Sequence, residues 1–406
     1  MCPRVGPAPR RAKLQFHCAI LIAGLAWLLA GCGTTVRNPV PDQLTAQAAA
    51  IGLTDVRFWG DEVPPNINAM VVEKFEQTRK ARPHLFTGRR KPAFSHLTIS
   101  GGGSDGAFGA GLLTGWSASG KRPEFEIVTG ISTGALTAPF AFLGSSHDMA
   151  LREIYTQYGT KDLVRKRAVR GLLGGSALAS NKLLEALIAK YVDQAFLAKI
   201  AAAHGTGRRL LIGTTNLDAQ RPVIWDMGQI ASSGHPESLQ LFRKILLASA
   251  AIPGVFPPVF INVNADGKTY DEMHVDGGTT QQVFFLPNAL MAEKHVKKKQ
   301  RFNATRYVYV IRNGRVDPER KVVKAGTLSI ASRSVSTLIK YQGIGDLYRM
   351  HDFTQRNRMR FRLAYIPGDF RNTSTEPFDK KYMTKLFNLG LELGKKGYRW
   401  EKRPPS

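Results

Sequence analysis

Residues 130–134, Gly130-Ile131-Ser132-Thr133-Gly134, constrain the fold more than any other stretch of the chain. The run before them, Phe125-Glu126-Ile127-Val128, has strand character, and the apolar stretch after them, Thr133 to Leu143, has helical character in spite of Pro139. A serine with glycine two residues away on either side suits a sharp strand-to-helix turn, because strand and helix pass too close there for larger residues. The chain is therefore expected to be an α/β protein with Ser132 presented as a nucleophile on such a turn. Backbone N–H groups at the start of the helix, at Thr133, would point toward charge forming near that serine.

Two other glycine-marked sites accompany it. Asp276-Gly277-Gly278 presents a carboxylate in a glycine-flanked turn and suggests the base for a serine nucleophile, an Asx-type structural turn being the competing reading. Gly101-Gly102-Gly103-Ser104-Asp105-Gly106 follows a strand and precedes a helix, with three adjacent glycines suited to exposing successive amides to an oxyanion. The same position fits a dinucleotide fingerprint, but the glycine spacing is too dense, and Glu124 and Glu126 lie before or at the start of the next strand rather than at its end. A rival mechanism places His274 or His235 in a Ser-His-Asp triad, since His274 and Asp276 would share one side of a strand. The other histidines have no metal-ligand spacing, and neither metal nor cofactor is expected.

Strand-like and helix-like stretches alternate around these sites. His96–Ile99, Arg209–Asn216 and Arg306–Ile311 read as strands, whereas Ala107–Trp116, Leu239–Ala250, Thr327–Lys340 and Asp379–Lys396 read as helices. Such alternation favours a mostly parallel sheet covered by helices on both faces. Residues 33 to about 68 carry Pro39, Pro41, Pro64 and Pro65 and read as a linker, with one short alanine-rich helix around Gln47 to Ala50. A helix is expected within residues 69–82, and the ordered core from Phe94.

The N-terminus reads as an export signal. Arg4, Arg10, Arg11 and Lys13 precede the apolar stretch Cys18–Ala30, which is short for a membrane span. It ends in Leu29-Ala30-Gly31-Cys32, which resembles the lipobox of bacterial lipoproteins, where cleavage leaves a lipidated cysteine. The expected organisation is a signal peptide over 1–31, a lipidated N-terminus with linker and short helices over 32–93, and an acyl hydrolase domain over 94–399. With Gly33 after Cys32, the expected location is the bacterial envelope, anchored in the outer membrane and facing the periplasm. The remaining cysteines, Cys2 and Cys18, fall within the signal, so no disulfide or cysteine nucleophile is available beyond it. Loss of residues 1–31, which hold four basic and no acidic residues, takes the net charge from +26 to +22, a field that would draw the protein to anionic membrane surfaces, and export makes nucleic acid an improbable partner.

Four motifs in order carry a family resemblance. Ser100-Gly101-Gly102-Gly103 with Gly106, Gly130 to Gly134, Ala248-Ser249-Ala250-Ala251-Ile252-Pro253 with Phe256-Pro257-Pro258, and Asp276-Gly277-Gly278 together resemble the patatin-like phospholipases over roughly Phe94 to Pro287. The resemblance implies a three-layer α/β/α fold and a histidine-free Ser-Asp dyad that cleaves acyl esters of phospholipids or other lipids. Carried over, Ser132 is the nucleophile, Asp276 the base, Gly102 and Gly103 the oxyanion donors with Gly101 and the Thr133 amide as further candidates, and Gly130 and Gly134 the elbow glycines. One position departs from the family. Asp105 stands where a basic residue is common, and it is expected to face outward and cap the helix starting at Gly106, since an inward carboxylate would oppose an oxyanion. A catalytically poor envelope lipoprotein that binds lipid or a partner through its basic surface is the alternative function.

Overall fold

The computed structural model describes residues 37–87, 91–163, 165–166, 177, 179–286, 304–371, 374 and 376–405. Ten strands form one sheet: β1 (Ala49–Ala50), β2 (Arg57–Trp59), β3 (Ala93–Ile99), β4 (Phe125–Ile131), β5 (Arg209–Asn216), β6 (Arg221–Asp226), β7 (Val259–Ala265), β8 (Lys268–Asp276), β9 (Thr305–Arg312) and β10 (Arg360–Tyr365). The helices that matter here are α1 (Ile67–Ala81), α2 (Gly106–Ala118), α3 (Thr133–Leu143), α4 (Asp148–Gln157), α5 (Lys182–Tyr191), α6 (Gln194–Gly205), α7 (Met227–Ser232), α8 (Ser238–Ser249), α9 (Thr327–Arg356) and α10 (Lys380–Lys396). The sheet runs β1-β7-β8-β5-β4-β3-β9-β10, with β6 pairing to β5 and β2 to β6. Strands β5, β4, β3, β9 and β10 are mutually parallel, and the hairpin strands at the other end are antiparallel.

The parallel strands are apolar on both faces because both are covered. On β9, Val308 and Val310 enter one core with Leu347, Met350 and Phe361, while Ile311 enters the larger core on the opposite face with Leu97, Phe108 and Phe387. This alternation is the period-two consequence of the pleat. Mixed α/β architecture with a largely parallel central sheet flanked by helices is the expected fold class, and the chain adopts it.

Four local expectations are corrected. Ala49–Ala50 is a strand paired with Val263 and Asn264, not part of a helix, because an open sheet edge offers its backbone partners that alanine's helical preference does not outweigh. The segment read as a linker is tied to the sheet from its first described residue. Arg37 pairs with Asp218 and Asp271, the Asn38 amide donates to Asp271 Oδ2 at 2.6 Å, and β2 pairs with β6. Core burial accordingly begins before Phe94, with Ala48, Ala50 and Val56 buried. Helix α9 continues past Lys340 to Arg356.

Helices α2 and α10 meet backbone to backbone. A Cβ added to Gly111 would lie 2.0 Å from the Phe387 carbonyl oxygen, and one on Gly115 equally close to that of Leu391. Gly390 and Gly394 return the contact against Phe108 and Leu112. Two glycine pairs, each four residues apart on one helical face, make this approach possible. Among the described residues no helix is long and apolar enough to cross a membrane.

Candidate active site

The register of β5 brings the two principal residues together. Its first half pairs along one edge with β4, ending at Ile131 opposite Gly213, and the next residues of that strand pair with the end of β8, Asp276 opposite Thr214. Ser132, which leaves β4, and Asp276, which ends β8, therefore arrive at adjacent places beside one strand. Gly277 completes the approach, since a Cβ there would meet the Gly213 carbonyl oxygen at 2.5 Å.

Ser132 occupies the strained turn that the glycine spacing predicts. Its backbone has φ 56° and ψ −127°, a left-handed value of φ that a residue with a side chain seldom adopts. A Cβ on Gly130 would lie 2.4 Å from the Gly134 carbonyl oxygen, and one on Gly134 would lie 2.3 Å from that of Ile99, so neither position tolerates a side chain. Ser249 holds the turn from below. Its Oγ accepts from the Ser132 amide at 3.0 Å and donates to the Gly213 carbonyl at 2.6 Å. Thr133 Oγ1 and the Tyr155 hydroxyl, 2.6 Å apart, fix the start of α3.

Asp276 is 5% exposed. Its amide donates to the Ala251 carbonyl at 3.0 Å, and its Oδ1 accepts from the Gly278 amide at 2.7 Å. Burial pushes this carboxyl up to about 7, while interaction with the Ser132 hydroxyl and the Gly278 amide pulls in the opposite direction. A carboxyl raised in this way is a better proton acceptor once ionised than a free one.

The glycine loop is clamped by Asn313, which sequence reasoning missed. Asn313 donates its amide to Ser100 Oγ at 2.8 Å and its Nδ2 to the Ser100 carbonyl at 2.9 Å, and its Oδ1 accepts from the Gly109 amide at 3.1 Å. Gly102 sits against it so closely that a Cβ would lie 2.0 Å from the Asn313 carbonyl oxygen. The Gly101 amide donates to the Gln282 carbonyl at 3.1 Å, which removes Gly101 from the candidate oxyanion donors. Among the described residues, the amides of Gly102 and Gly103 donate to no backbone carbonyl. The only advance signal for Asn313 was its place in an Asn-Gly pair directly after an apolar strand.

Asp105 does not face outward. It makes no capping bond to α2; instead its Oδ1 accepts from the Tyr382 hydroxyl of α10 at 2.6 Å. Burial raises its carboxyl to about 6, opposed by the Tyr382 hydrogen bond, with Glu319 adding to the rise and Arg312 and Arg315 opposing it. The cations and the phenol partly neutralise a negative group that would otherwise act against the loop. This pairing explains why an acidic residue is accommodated there.

The histidine triad is not assembled. His274 is fully buried between Glu272, 3.0 Å from its Nε2, and Thr214, 3.0 Å from its Nδ1, while His235 lies in an exposed turn where its Nδ1 accepts from the Glu237 amide. Among the described residues no group of three His, Cys, Asp or Glu side chains is arranged to hold a metal ion. Cys32 lies outside the described residues.

An apolar cavity opens on the serine. Gly103, Ser132 and Thr133 line it together with Leu136, Leu184, Leu187, Ile252, Phe256 and Met383. It borders about 580 Å³ of space between atoms, solvent at the mouth included. Hydrocarbon suits such walls, and a charged or strongly hydrated group does not.

Residues 97–287 match the family described as patatin-like phospholipase, and this stretch is a patatin-like phospholipase domain. By structure the chain is similar to VipD from Legionella pneumophila, with 12% identity, 76% of this chain and 67% of that one covered, and a TM-score of 0.31. It is also similar to human GIVD cytosolic phospholipase A2, with 11% identity, 70% of this chain and 51% of that one covered, and a TM-score of 0.32. No curated protein matches it by sequence.

Proposed function

Taking the patatin-like domain over residues 97–287 as the premise, we propose that the protein is a serine acyl hydrolase acting on lipid esters through Ser132 and Asp276. Ser132 Oγ attacks the ester carbonyl carbon while Asp276 takes its proton, and the oxyanion rests against the amides of Gly102, Gly103 and Thr133. Asp276 then returns the proton to the leaving alcohol as the C–O bond breaks, leaving the acyl group on Ser132. Water then gives its proton to Asp276 and attacks the acyl carbon, and Asp276 passes that proton to Ser132 Oγ as the acyl–Oγ bond breaks, releasing the carboxylic acid. The observation that supports this most is the strained, buried serine beside a buried carboxyl, the serine lining an apolar cavity. Full-length protein should turn over both a short soluble acyl ester and a phospholipid, with Ser132→Ala losing at least about a thousandfold in rate and keeping its melting temperature. Equal turnover by the variant would reject the assignment.

The export motif supports a second part of the proposal: a lipoprotein of the bacterial envelope, lipidated at Cys32 and facing the periplasm from the outer membrane. Arg37, already bound to Asp218 and Asp271, would then follow the lipid by five residues, a reach of at most roughly 18 Å at ~3.3–3.6 Å per residue. Such a short tether would keep the domain at the bilayer that supplies its substrate. Mass spectrometry of the mature N-terminal peptide should find acylated Cys32, and an unmodified peptide starting before Cys32 would refute it.

A further inference from the structure

Helix α9 changes character along its length. Its second half is packed: Leu347, Met350 and Phe353 are buried in the smaller core, and Asp346 accepts from the Gln282 amide at 2.7 Å. Its first four turns, by contrast, stand in solvent with large apolar side chains. Leu328 is 87% exposed, Val335 54% and Leu338 70%, and Val322 in the segment leading into the helix is 88% exposed. Leu328, Val335 and Leu338 recur at seven and ten residues, which places them on one face. Contiguous exposed apolar surface of this kind marks an interaction site rather than ordinary surface.

Charge selects the partner. No aspartate or glutamate occurs from Arg320 to Gly345, whereas Arg320, Lys321, Lys324, Arg333 and Lys340 all do. Lys340 is paired with Glu319 at 3.2 Å and Arg333 donates to the Glu319 carbonyl, but Lys321 and Lys324 are exposed beside Val322 and Val323. Apolar side chains flanked by cations, on a helix otherwise of serine and threonine, suit the boundary between anionic headgroups and acyl chains. A second copy of the chain would bring two cationic faces together, which the same charges oppose.

We propose that residues 320–341 form a docking surface for an anionic bilayer, with Leu328, Val335 and Leu338 inserted among the acyl chains and Lys321 and Lys324 at the headgroups. The helix that docks is hydrogen-bonded to the segment that follows Asp276. One residue past the exposed half, Gln342 donates to the Thr280 carbonyl at 2.8 Å and accepts from Gln282 Nε2 at 3.0 Å, in the segment that follows Asp276. That link to turnover rests on the proposed function; the docking itself does not.

The test reads insertion rather than catalysis. Full-length protein carrying Ser132→Ala, with Cys2, Cys18 and Cys32 replaced by serine, receives an environment-sensitive nitrobenzoxadiazole label through Val335→Cys, or through Lys199→Cys, an exposed position of α6, as a control. On phosphatidylglycerol-phosphatidylcholine vesicles the label at 335 should shift to the blue, brighten several-fold and be quenched by spin-labelled lipid, and the label at 199 should do none of these. Lys321→Gln and Lys324→Gln should each weaken the response roughly fivefold. No shift at 335 in protein that co-sediments with the vesicles would overturn the proposal. An equal shift on pure phosphatidylcholine would overturn the anionic assignment, and a shift that grows with protein concentration without vesicles would assign the surface to self-association instead. Because Ser132→Ala is used throughout, failure of docking and failure of the proposed hydrolase activity are separate results.

Discussion

Asp276→Asn is expected to abolish ester turnover and at the same time to make the protein more stable above neutral pH. The catalytic half follows from its proposed role. An amide cannot take the Ser132 proton, and loss of a general base costs about a hundred- to ten-thousandfold in rate. The stability half follows from the raised carboxyl, which lies at about 7 against an ordinary value of 3.8. Below pH 4 both folded and unfolded chains hold this proton and nothing is lost. Between pH 4 and 7 the unfolded chain releases it while the native one does not, so native stability falls as pH rises, and above 7 the full cost of a buried charge is present. That cost is on the order of 4 kcal/mol. Asparagine keeps an acceptor for the Gly278 amide and removes the charge. Denaturant titrations at pH 5 and pH 8.5 should show the variant gaining on the native protein at the higher pH only. In the native protein the proposed turnover should rise with pH through about 7, where Asp276 ionises. Undiminished turnover by the variant would move the base elsewhere, and equal stability at both pH values would contradict a buried carboxyl at 276.

Gly115→Leu is expected to be more damaging to the fold than any substitution at the site. A Cβ there would overlap the Leu391 carbonyl oxygen at 2.0 Å, and that atom is backbone, so no side-chain rotation relieves it. Overpacking normally costs about 1–3 kcal/mol where side chains can adjust, and here two helices must separate. The consequence reaches the site, since α2 begins directly after the glycine loop and α10 supplies the Tyr382 hydroxyl to Asp105. Soluble yield, melting temperature and turnover should all collapse together. Gly205→Ala is the contrasting substitution. Nothing lies within 4 Å of a Cβ at that helical position, so it should be neutral or stabilising by up to ~1 kcal/mol. A Gly115→Leu protein that melts with the native one would contradict the close packing.

What could be read from the chain and what could not divide along physical lines. Ser132 was legible because a strained turn demands small neighbours, and glycines two residues away on each side leave that demand visible in sequence. The strand Arg209–Asn216 was legible because burial on both faces leaves the consecutive apolar run Leu210-Leu211-Ile212 at its centre. Partnerships made only by tertiary contact were not. Gly111 and Gly115 fall within the helix expected over Ala107–Trp116, but nothing local linked them to Gly390 and Gly394 far along the chain. Whether Gly101 had a free amide depended on the Gln282 carbonyl, and which way Asp105 faced depended on the Tyr382 hydroxyl, each contributed by a distant segment. Ala49–Ala50 misled for the same reason, because its strand state comes from pairing with β7 rather than from its own preference.

The central claim is that Ser132 is the nucleophile, and covalent trapping tests it most directly. Full-length protein incubated with a fluorophosphonate at pH 8 and digested should yield one adduct, on the peptide that carries Ser132, with turnover lost in proportion to labelling. Asp276→Asn should label far more slowly. An unlabelled Ser132 in protein that still hydrolyses esters, or a stoichiometric adduct on a different serine, would contradict the account.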